Sequence, residues 1–322
     1  MDQCVLVSSC NRSGGLHLLS VDSGGGLRVV SQLCEGSVRG FAYDNYPNGE
    51  KFYLARGQGI LTLSPERLTL GSCGQGWFDV DPEVDNYMFH DLLVSGGMLY
   101  VVMTRFNRIA IIDCATQKRV GTLDIDGARC DRSHLNSLHA RPDGLLLSMF
   151  SWNGKKNLHP WREEDGAIVK IPWGVVERFS KSGKRVDLKK NIPPPLVDGL
   201  EQPHSFAVHR GWLYFCESFW HRVWRVPVDG GDSELVREFD GGYMRGLQVV
   251  GDFLLVGESC LKNHKTIPSH FEEISDHARV HVLDLRSGAL VHTVDIPSSA
   301  EVYHIAECPD AFVGELPAGG SL

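Results

Sequence analysis

The sequence lacks the features that mark several large classes of protein. It contains no apolar run close to the roughly 20 residues of a membrane-spanning helix. The short apolar run near its start has neither the length nor the basic flank of a signal peptide. Positive charge is scarce, because 32 Lys and Arg stand against 40 Asp and Glu, for a net charge of −8. We therefore expect neither a membrane nor a nucleic acid as a partner.

Paired cysteines and the common catalytic motifs are also missing. The nine cysteines are an odd number with no Cys-x-x-Cys spacing. Without a secretory signal, they indicate reduced thiols in a cytoplasmic protein. No glycine-rich phosphate loop, nucleophile elbow, His-Glu-x-x-His or zinc-finger spacing occurs. Function must therefore be inferred from the architecture and from the residues that it brings together.

A repeated pattern organises the chain. A polar pair opens a short apolar strand, and a tight turn, usually containing glycine, leads to a second apolar strand. The clearest copies are 89–102, 203–216 and 244–256, and looser copies begin at Leu135 and Val38. Copies that recur at roughly 40–70 residues indicate a repeat architecture.

The pattern predicts an all-β fold, a six-bladed β-propeller with four-stranded blades, formed by residues 1–322 as a single domain. Every group of strands except the first has its own innermost strand. The segment Glu301–Glu307 is left over near the C-terminus. We expect it to join the N-terminal blade, which closes the ring and removes its free edges. The other predicted innermost strands are Val38–Tyr43, Phe89–Val94, Leu135–Ala140, His204–Val208 and Arg245–Val249.

Two outer strands and the loops complete this prediction. The fourth strands of blades two and four are predicted at Arg67–Leu70 and Val175–Phe179, and the only helical turn expected lies near Phe271–Ser275. The long connections all leave the face where the innermost strands begin, which is where binding and catalysis usually occur. These connections are 71–88, 124–134, 151–166, 180–203 and 259–279.

Aligning the innermost strands places one polar residue of each blade around the axis. Tyr303 and His304 compete for the last position. If His304 faces the axis, His90, His204 and His304 come from alternate blades and could bind a divalent transition metal: iron, zinc, copper, nickel or manganese. Alternatively, the ring residues bond to each other or to buried water. The ring positions are Arg39, His90, Asn136, His204, Arg245, and Tyr303 or His304.

Carboxylates beside this ring are candidates for catalysis. Asp91 follows a ring histidine, and Glu217 and Glu258 end the second strands of two neighbouring blades. They could orient metal-bound imidazoles or act as general acid and base. The alternative is an ion pair of Glu217 or Glu258 with Arg245.

The remaining ring residues are candidates for substrate binding. Arg39 and Arg245 need an anionic partner, which a substrate carboxylate or phosphate would provide. Asp91, Glu217 or Glu301 would also serve. The side chains predicted to contact that substrate are Arg39, Arg245, Asn136, Tyr303, Trp152 and Trp220. The two tryptophans would form pocket walls, or only cap the blades.

The repeat layout resembles the six-bladed propellers of the gluconolactonase, senescence-marker and strictosidine-synthase type over nearly the whole chain. In the lactonase group a divalent metal lies on the axis, held mainly by carboxylates and asparagine, and Asn136 is the ring position that matches this pattern. The histidine-rich ring departs from it. Chemically the ring is more similar to the axial histidine sites of carotenoid-cleaving oxygenases and oligogalacturonate lyases, which have seven blades.

These observations predict a metal-dependent enzyme, with metal at the mouth of the central channel. Its substrate would be a small anionic molecule that carries a carboxylate, and its chemistry oxygenase or hydrolase/lyase chemistry. The alternative is a non-catalytic propeller that binds a small ligand or a protein partner through its long-loop face.

Overall fold

The computed structural model describes residues 2–10, 14–44, 51–56, 59–64, 77–78, 88–125, 130–154, 164–260, 277–297 and 299–309. Within them, short strands rich in β-branched and aromatic residues alternate with turns, as the repeat predicts. Blade one contains β1 (Gln3–Cys10), β2 (Gly15–Val21) and β3 (Leu27–Glu35). Blade two contains β4 (Gly40–Asp44), β5 (Lys51–Arg56), β6 (Gly59–Leu63) and β7 (Trp77–Phe78). Blade three contains β8 (Phe89–Ser95), β9 (Met98–Met103), β10 (Arg108–Asp113) and β11 (Lys118–Asp124).

The second half of the ring repeats this layout. Blade four contains β12 (Leu135–Arg141), β13 (Gly144–Met149), β14 (Gly166–Pro172) and β15 (Val197–Leu200). Blade five contains β16 (Pro203–His209), β17 (Trp212–Glu217), β18 (Arg222–Pro227) and β19 (Glu234–Glu238). Blade six contains β20 (Tyr243–Val250), β21 (Phe253–Ser259), β22 (Arg279–Asp284) and β23 (Leu290–Asp295). The last strand is β24 (Glu301–Glu307). Two helices lie between β14 and β15, α1 (Trp173–Ser180) and α2 (Leu188–Asn191).

The ring closes through the C-terminal strand. β24 pairs antiparallel with β1, with Val7 opposite Ile305 and Cys10 opposite Glu301. It is therefore the innermost strand of blade one, in a sheet ordered β24-β1-β2-β3. The predicted six-bladed, four-stranded all-β architecture is confirmed.

The core lies between the blades. The described residues form six clusters of buried apolar side chains, one at each interface between neighbouring blades. The cluster between blades six and one includes Val5 and Val302, so the closing strand contributes to the same packing as the others. Because burial of apolar surface stabilises all six interfaces, the innermost strands are held at fixed positions around the axis.

The prediction of an outer strand at Val175–Phe179 in blade four is wrong. Residues 175–179 belong to α1, and the outer strand is β15. Apolar residues recur there at helical spacing, at Trp173, Val176 and Phe179, and Val175 and Val176 are buried. A strand would place successive residues on opposite faces, whereas these residues follow the helical period.

Two other predictions fall outside the described residues, namely the strand Arg67–Leu70 and the helical turn Phe271–Ser275. The outer strand found for blade two is β7. Among the described residues, no helix has the length and apolar character that crossing a bilayer requires. The eight cysteines in this part of the chain form no disulfide with one another.

Candidate axial site

Five of the six innermost strands, all except β4, contain a β-bulge. A β-bulge inserts an extra residue, so two neighbouring side chains can point to the same side of the strand. The shifts in pairing lie between Phe89 and Leu92, Leu135 and Leu138, His204 and Phe206, Met244 and Leu247, and opposite Ser8 and Ser9.

The bulge in β24 explains the uncertainty in the sequence alignment. Ser8 pairs with His304 and Ser9 with Val302, which leaves Tyr303 as the extra residue. Tyr303 and His304 both line the axial cavity. Strict alternation allowed only one of them to face the axis, and the structure places both there.

Asp91 connects two bulged strands. One carboxylate oxygen accepts the backbone N–H of Leu92 at 2.9 Å, and the other accepts that of Leu138, in the next blade, at 2.8 Å. Bulges leave such backbone groups without a partner in the sheet, and a buried N–H needs one. Predicted as a catalytic residue, Asp91 is thus occupied in positioning the innermost strands.

Two serines continue this pattern around the axis. The Ser137 hydroxyl accepts the backbone N–H of Ser205 at 2.8 Å, and the Ser205 hydroxyl accepts that of Gly246 at 2.7 Å. Each side chain therefore satisfies a backbone group of the following blade. The contacts fix the spacing of the polar residues that line the channel.

The axial cavity is small. Its volume of about 30 Å³ is enclosed by residues that include His90, Asn136, His204, Arg245, Tyr303 and His304. One ordered water needs about 10–15 Å³ on this measure. The cavity thus admits a water molecule, or the polar end of a larger ligand.

His90 presents a hydrogen-bond acceptor to this cavity. Its Nδ1 lies 2.8 Å from the side-chain oxygen of Asn136, whose amide nitrogen faces the backbone carbonyl of His134 at 3.4 Å. Nδ1 therefore donates to Asn136, and Nε2 keeps its lone pair. Burial lowers the pKa of His90 well below its ordinary value, and the charges of His134 and Arg245 lower it further. The ring is neutral at physiological pH.

His204 has the same arrangement. Its Nδ1 donates to the carbonyl of Gln202 at 2.9 Å and lies 2.7 Å from the hydroxyl of Ser218, which itself donates to the carbonyl of Met244. Burial, followed by the charge of Arg245, holds the pKa of His204 well below its usual range. Its Nε2 is buried and has no hydrogen-bond partner among the described residues.

Arg245 is a buried cation beside these histidines. Its guanidinium lies between the rings of Tyr243 and Tyr303, at 4.8 and 4.6 Å from their centroids, and 3.6 Å from a carboxylate oxygen of Glu301. Burial alone would lower the pKa of Arg245, but these three neighbours raise it above the ordinary value, so the charge persists. Its buried Nε lacks a hydrogen-bond partner within the described part of the chain.

The three histidines predicted to bind metal are not brought together as one ligand set. The ring of His304 packs on Phe41, with centroids 4.7 Å apart, and its Nδ1 lies 3.4 Å from Asp91. Among the described residues, no group of three or more His, Cys, Asp or Glu is placed to hold a metal ion. These residues do not fit a three-histidine shell, and the metal remains a prediction from the sequence.

The two glutamates predicted as catalytic bond to groups outside the axial cavity. Glu217 accepts the backbone N–H of Glu201 at 3.1 Å and the indole N–H of Trp224 at 2.9 Å. Burial raises the pKa of Glu217. Glu258 lies 2.6 Å from Nε2 of His281. Neither carboxylate lines the axial cavity.

The other predicted substrate residues are divided between locations. Arg39 does not line the cavity, although its charge lowers the pKa of His90. Trp152 lines a separate cavity of about 230 Å³. Trp220 packs edge-to-face on Phe219. Asn136, Arg245 and Tyr303 are thus the members of this set that meet at the axis.

One histidine outside the predicted set of site residues also belongs to the site. His134 lies edge-to-face against His90, 4.9 Å between centroids, and stacks on Phe150. Its Nδ1 is 2.5 Å from a carboxylate oxygen of Asp131. His134 lies two positions before Asn136, directly before β12, and this position is the signal that the sequence carries.

The comparisons with known proteins identify a family. The profile of a family described as "Domain of unknown function (DUF4915)" matches residues 3–315. The chain belongs to this family. No curated protein matches the DUF4915 chain.

Solved structures that are similar to the DUF4915 chain have low sequence identity to it. The structure of a nidogen/laminin complex matches with a TM-score of 0.60 and 11% identity, over 94% of this chain and 97% of that one. A luciferin-regenerating enzyme matches with a TM-score of 0.55 and 14% identity, over 83% and 78%. Regucalcin of Agrobacterium tumefaciens, a calcium-binding protein, matches with a TM-score of 0.51 and 13% identity, over 82% and 75%. At these identities the likeness shows the shared fold.

Proposed function

We propose that this protein is an enzyme that acts on a small carboxylate-bearing molecule, one end of which enters the axial cavity. The observation that carries the proposal is a pair of unsatisfied groups. Arg245 has a buried donor, and His204 has a buried acceptor, and both residues line the same cavity. A buried polar atom without a hydrogen-bond partner costs about 1–3 kcal/mol of folding free energy. Both atoms therefore favour the binding of a ligand that provides the missing hydrogen bonds.

The two groups specify complementary chemistry. A permanent cation favours an anion, and a neutral imidazole nitrogen accepts a proton or a hydrogen bond. A carboxylate next to a hydroxyl provides both partners within the reach of one small cavity. This combination supports a hydroxy acid, or a group that hydrolysis converts to one.

The neutral imidazoles support proton transfer as the catalytic step. His204 keeps its Nε2 lone pair because Gln202 fixes the proton on Nδ1. His90 is held in the same tautomer by Asn136. An oriented neutral imidazole can remove a proton from a hydroxyl or from water, which is the general-base step of hydrolysis and elimination.

The alternatives have distinguishable outcomes. A non-catalytic propeller would bind the ligand at the same cavity without turnover. The metal prediction is tested separately, by measuring the metal content of untagged wild-type protein and of His204→Ala. Near-stoichiometric transition metal that is lost in the variant would support the metal-dependent form of the proposal.

The binding experiment is a calorimetric titration with short 2-hydroxy acids and their methyl esters. Wild-type protein should bind an acid more tightly than its ester, because only the acid carries the charge that Arg245 attracts. Arg245→Met should weaken binding by about 10- to 100-fold, the usual loss for a charge-assisted hydrogen bond. His204→Phe should weaken it less and abolish turnover. Hydrolysis of the ester by wild type, and not by His204→Phe, would identify the reaction.

Arg237→Met provides the matched control. Arg237 also has a buried Nε without a partner in the described residues, but it lies on the outer strand β19. Its guanidinium lies 5.8 Å from the ring centroid of Phe239. Unchanged affinity in Arg245→Met, or equal losses in the two variants, would contradict the proposal. If Arg245→Met does not fold, Arg245→Lys, which keeps the positive charge, can replace it in the titration.

A further inference from the structure

Aromatic rings cover the axial cavity on the face where the innermost strands begin. Phe150 and Tyr243 lie edge-to-face against His204, with centroids 5.0 and 5.3 Å apart. His134 lies against His90 in the same way, at 4.9 Å. Phe150 directly follows β13, His134 directly precedes β12, and Tyr243 begins β20, so all three rings lie at that face. These rings obstruct the entry of a ligand from the long-loop side.

A larger cavity lies on the axis at the opposite face. Its volume is about 730 Å³, within the range of roughly 300–1,000 Å³ that is typical of small-molecule pockets. Residues of β8, β12, β16, β20 and β24 line it, so five innermost strands surround it. It extends to the turns that follow β16 and β20, at Arg210 and Gly251. We call it the turn-side cavity.

A single layer of side chains separates the turn-side cavity from the axial cavity. Leu138, Phe206, Leu247 and His304 line both cavities, and we call these four residues the constriction. The two leucines are buried. Phe206 is partly exposed, and the side chain of His304 is 29% exposed. Because both residues lie in the middle of the channel, space for water reaches their rings there.

The walls of the turn-side cavity are suited to polar molecules. Its lining includes His139, Gln248, Asp252 and Glu307 among apolar side chains. A polar molecule can keep hydrogen bonds to these groups or to water until it reaches the constriction, so it does not lose its hydration in one step. Beyond the constriction, Arg245 has a buried Nε without a hydrogen-bond partner in the described part of the chain.

The two rings of the constriction are held differently. His304 packs on Phe41, with centroids 4.7 Å apart, and its Nδ1 lies 3.4 Å from Asp91. Phe206 is a partly buried residue at the margin of the apolar cluster between blades four and five. We therefore expect Phe206 to change rotamer more easily than His304, and the passage to widen on the Phe206 side.

We propose that small polar molecules enter the axial cavity from the turn side, through the constriction, and that Phe206 and His304 limit the size of the ligand that passes. The identity of this ligand as a carboxylate-bearing molecule rests on the function proposed above. The route does not, because it follows from the two cavities and the side chains that they share.

The test measures how fast a thiol in the axial cavity reacts. Ser137→Cys introduces the thiol, since Ser137 lines the axial cavity and not the turn-side cavity. Full-length protein is treated with methyl methanethiosulfonate, and peptide mass spectrometry follows each cysteine separately. Cys216 has no exposed surface, so its reaction reports unfolding and is the internal control. Ser205→Cys provides a second probe position if Ser137→Cys does not fold.

Variants of the route should change this rate in opposite directions. Phe206→Ala removes a ring from the constriction and should speed the reaction of the introduced thiol about fivefold. Val208→Trp combined with Gln248→Trp adds two indole rings to the lining of the turn-side cavity and should slow the reaction about fivefold. Leu235→Trp combined with Val291→Trp, at exposed positions on β19 and β23, is the matched control and should leave the rate unchanged.

The outcomes separate this proposal from the proposed function. A rate that responds neither to Phe206→Ala nor to the two indoles in the turn-side cavity would overturn the route, as would equal slowing in the tryptophan control. An introduced thiol that reacts only as fast as Cys216 would overturn it too. Protection of the thiol by a short 2-hydroxy acid, lost in Arg245→Met, would support both proposals. A rate that follows the route variants without such protection would support the route and contradict the proposed function.

Discussion

Replacing Asp91 with alanine should lower the free energy of unfolding by about 2–4 kcal/mol, because two buried backbone N–H groups lose their acceptor at once. Leu92 and Leu138 donate to the carboxylate at 2.9 and 2.8 Å, and both leucines are buried. Each unsatisfied N–H group costs about 1–3 kcal/mol. Water from the axial cavity can hydrogen-bond to these groups and reduce that cost. Asp91→Asn should cost about half as much, because its amide keeps one acceptor oxygen.

Guanidinium unfolding, followed by both tryptophan fluorescence and circular dichroism, measures this effect through linear extrapolation. Asp143→Asn is the control, because its carboxylate is 46% exposed and bonds to Lys170 at the surface. Such surface pairs contribute about 0–1 kcal/mol. If Asp91→Ala unfolds with the wild-type free energy, Asp91 does not hold the bulged strands together, and its role as an acid or base must be reconsidered.

Three further predictions concern the stability of the ring. Burial lowers the pKa of His17 from 6.5 to about 4, so protons bind the unfolded chain more tightly. Stability should fall by about 3 kcal/mol as pH decreases from 6.5 to 4, and His17→Gln should remove this part of the pH dependence of the unfolding free energy. Glu258→Ala should cost about 2–4 kcal/mol in denaturant unfolding, since it leaves Nε2 of buried His281 without its partner at 2.6 Å. Gly246→Ala should lower the melting temperature more than Gly211→Ala. Both glycines have positive φ, but a Cβ would clash with a neighbouring isoleucine, at 2.9 Å, only at Gly246. Equal decreases in melting temperature would show that backbone strain, and not the clash with isoleucine, causes the loss of stability.

The fold was predictable because strand period and turn chemistry are local signals. Each blade repeats them, and the segment Glu301–Glu307 could only be accommodated by closing the ring. The outer strand of blade four was not predictable in this way. Residues 175–179 are too few for the sequence to distinguish the period of a strand from that of a helix. The burial of Val175 and Val176 in the folded protein favours the helix.

The site was predictable only in part. Ring positions such as His90, Asn136, His204 and Arg245 follow from aligning the repeats. Bulges change which side chains face the axis, and nothing in the local sequence announces that Tyr303 and His304 both do so. Glu217 and Glu258 bond to groups in their own blades that alignment of the strand ends cannot reveal.

Ring closure also has a consequence for synthesis of the chain. Cys10 and Glu301 are partners across the closing pair, although 291 positions separate them. During translation, β1 has no inner neighbour until β24 leaves the ribosome, and one side of its backbone stays unpaired. An exposed strand of this kind recruits other chains. Nascent chains that stall before residue 301 should therefore be aggregation-prone and depend on chaperones, whereas completed chains satisfy the same backbone internally.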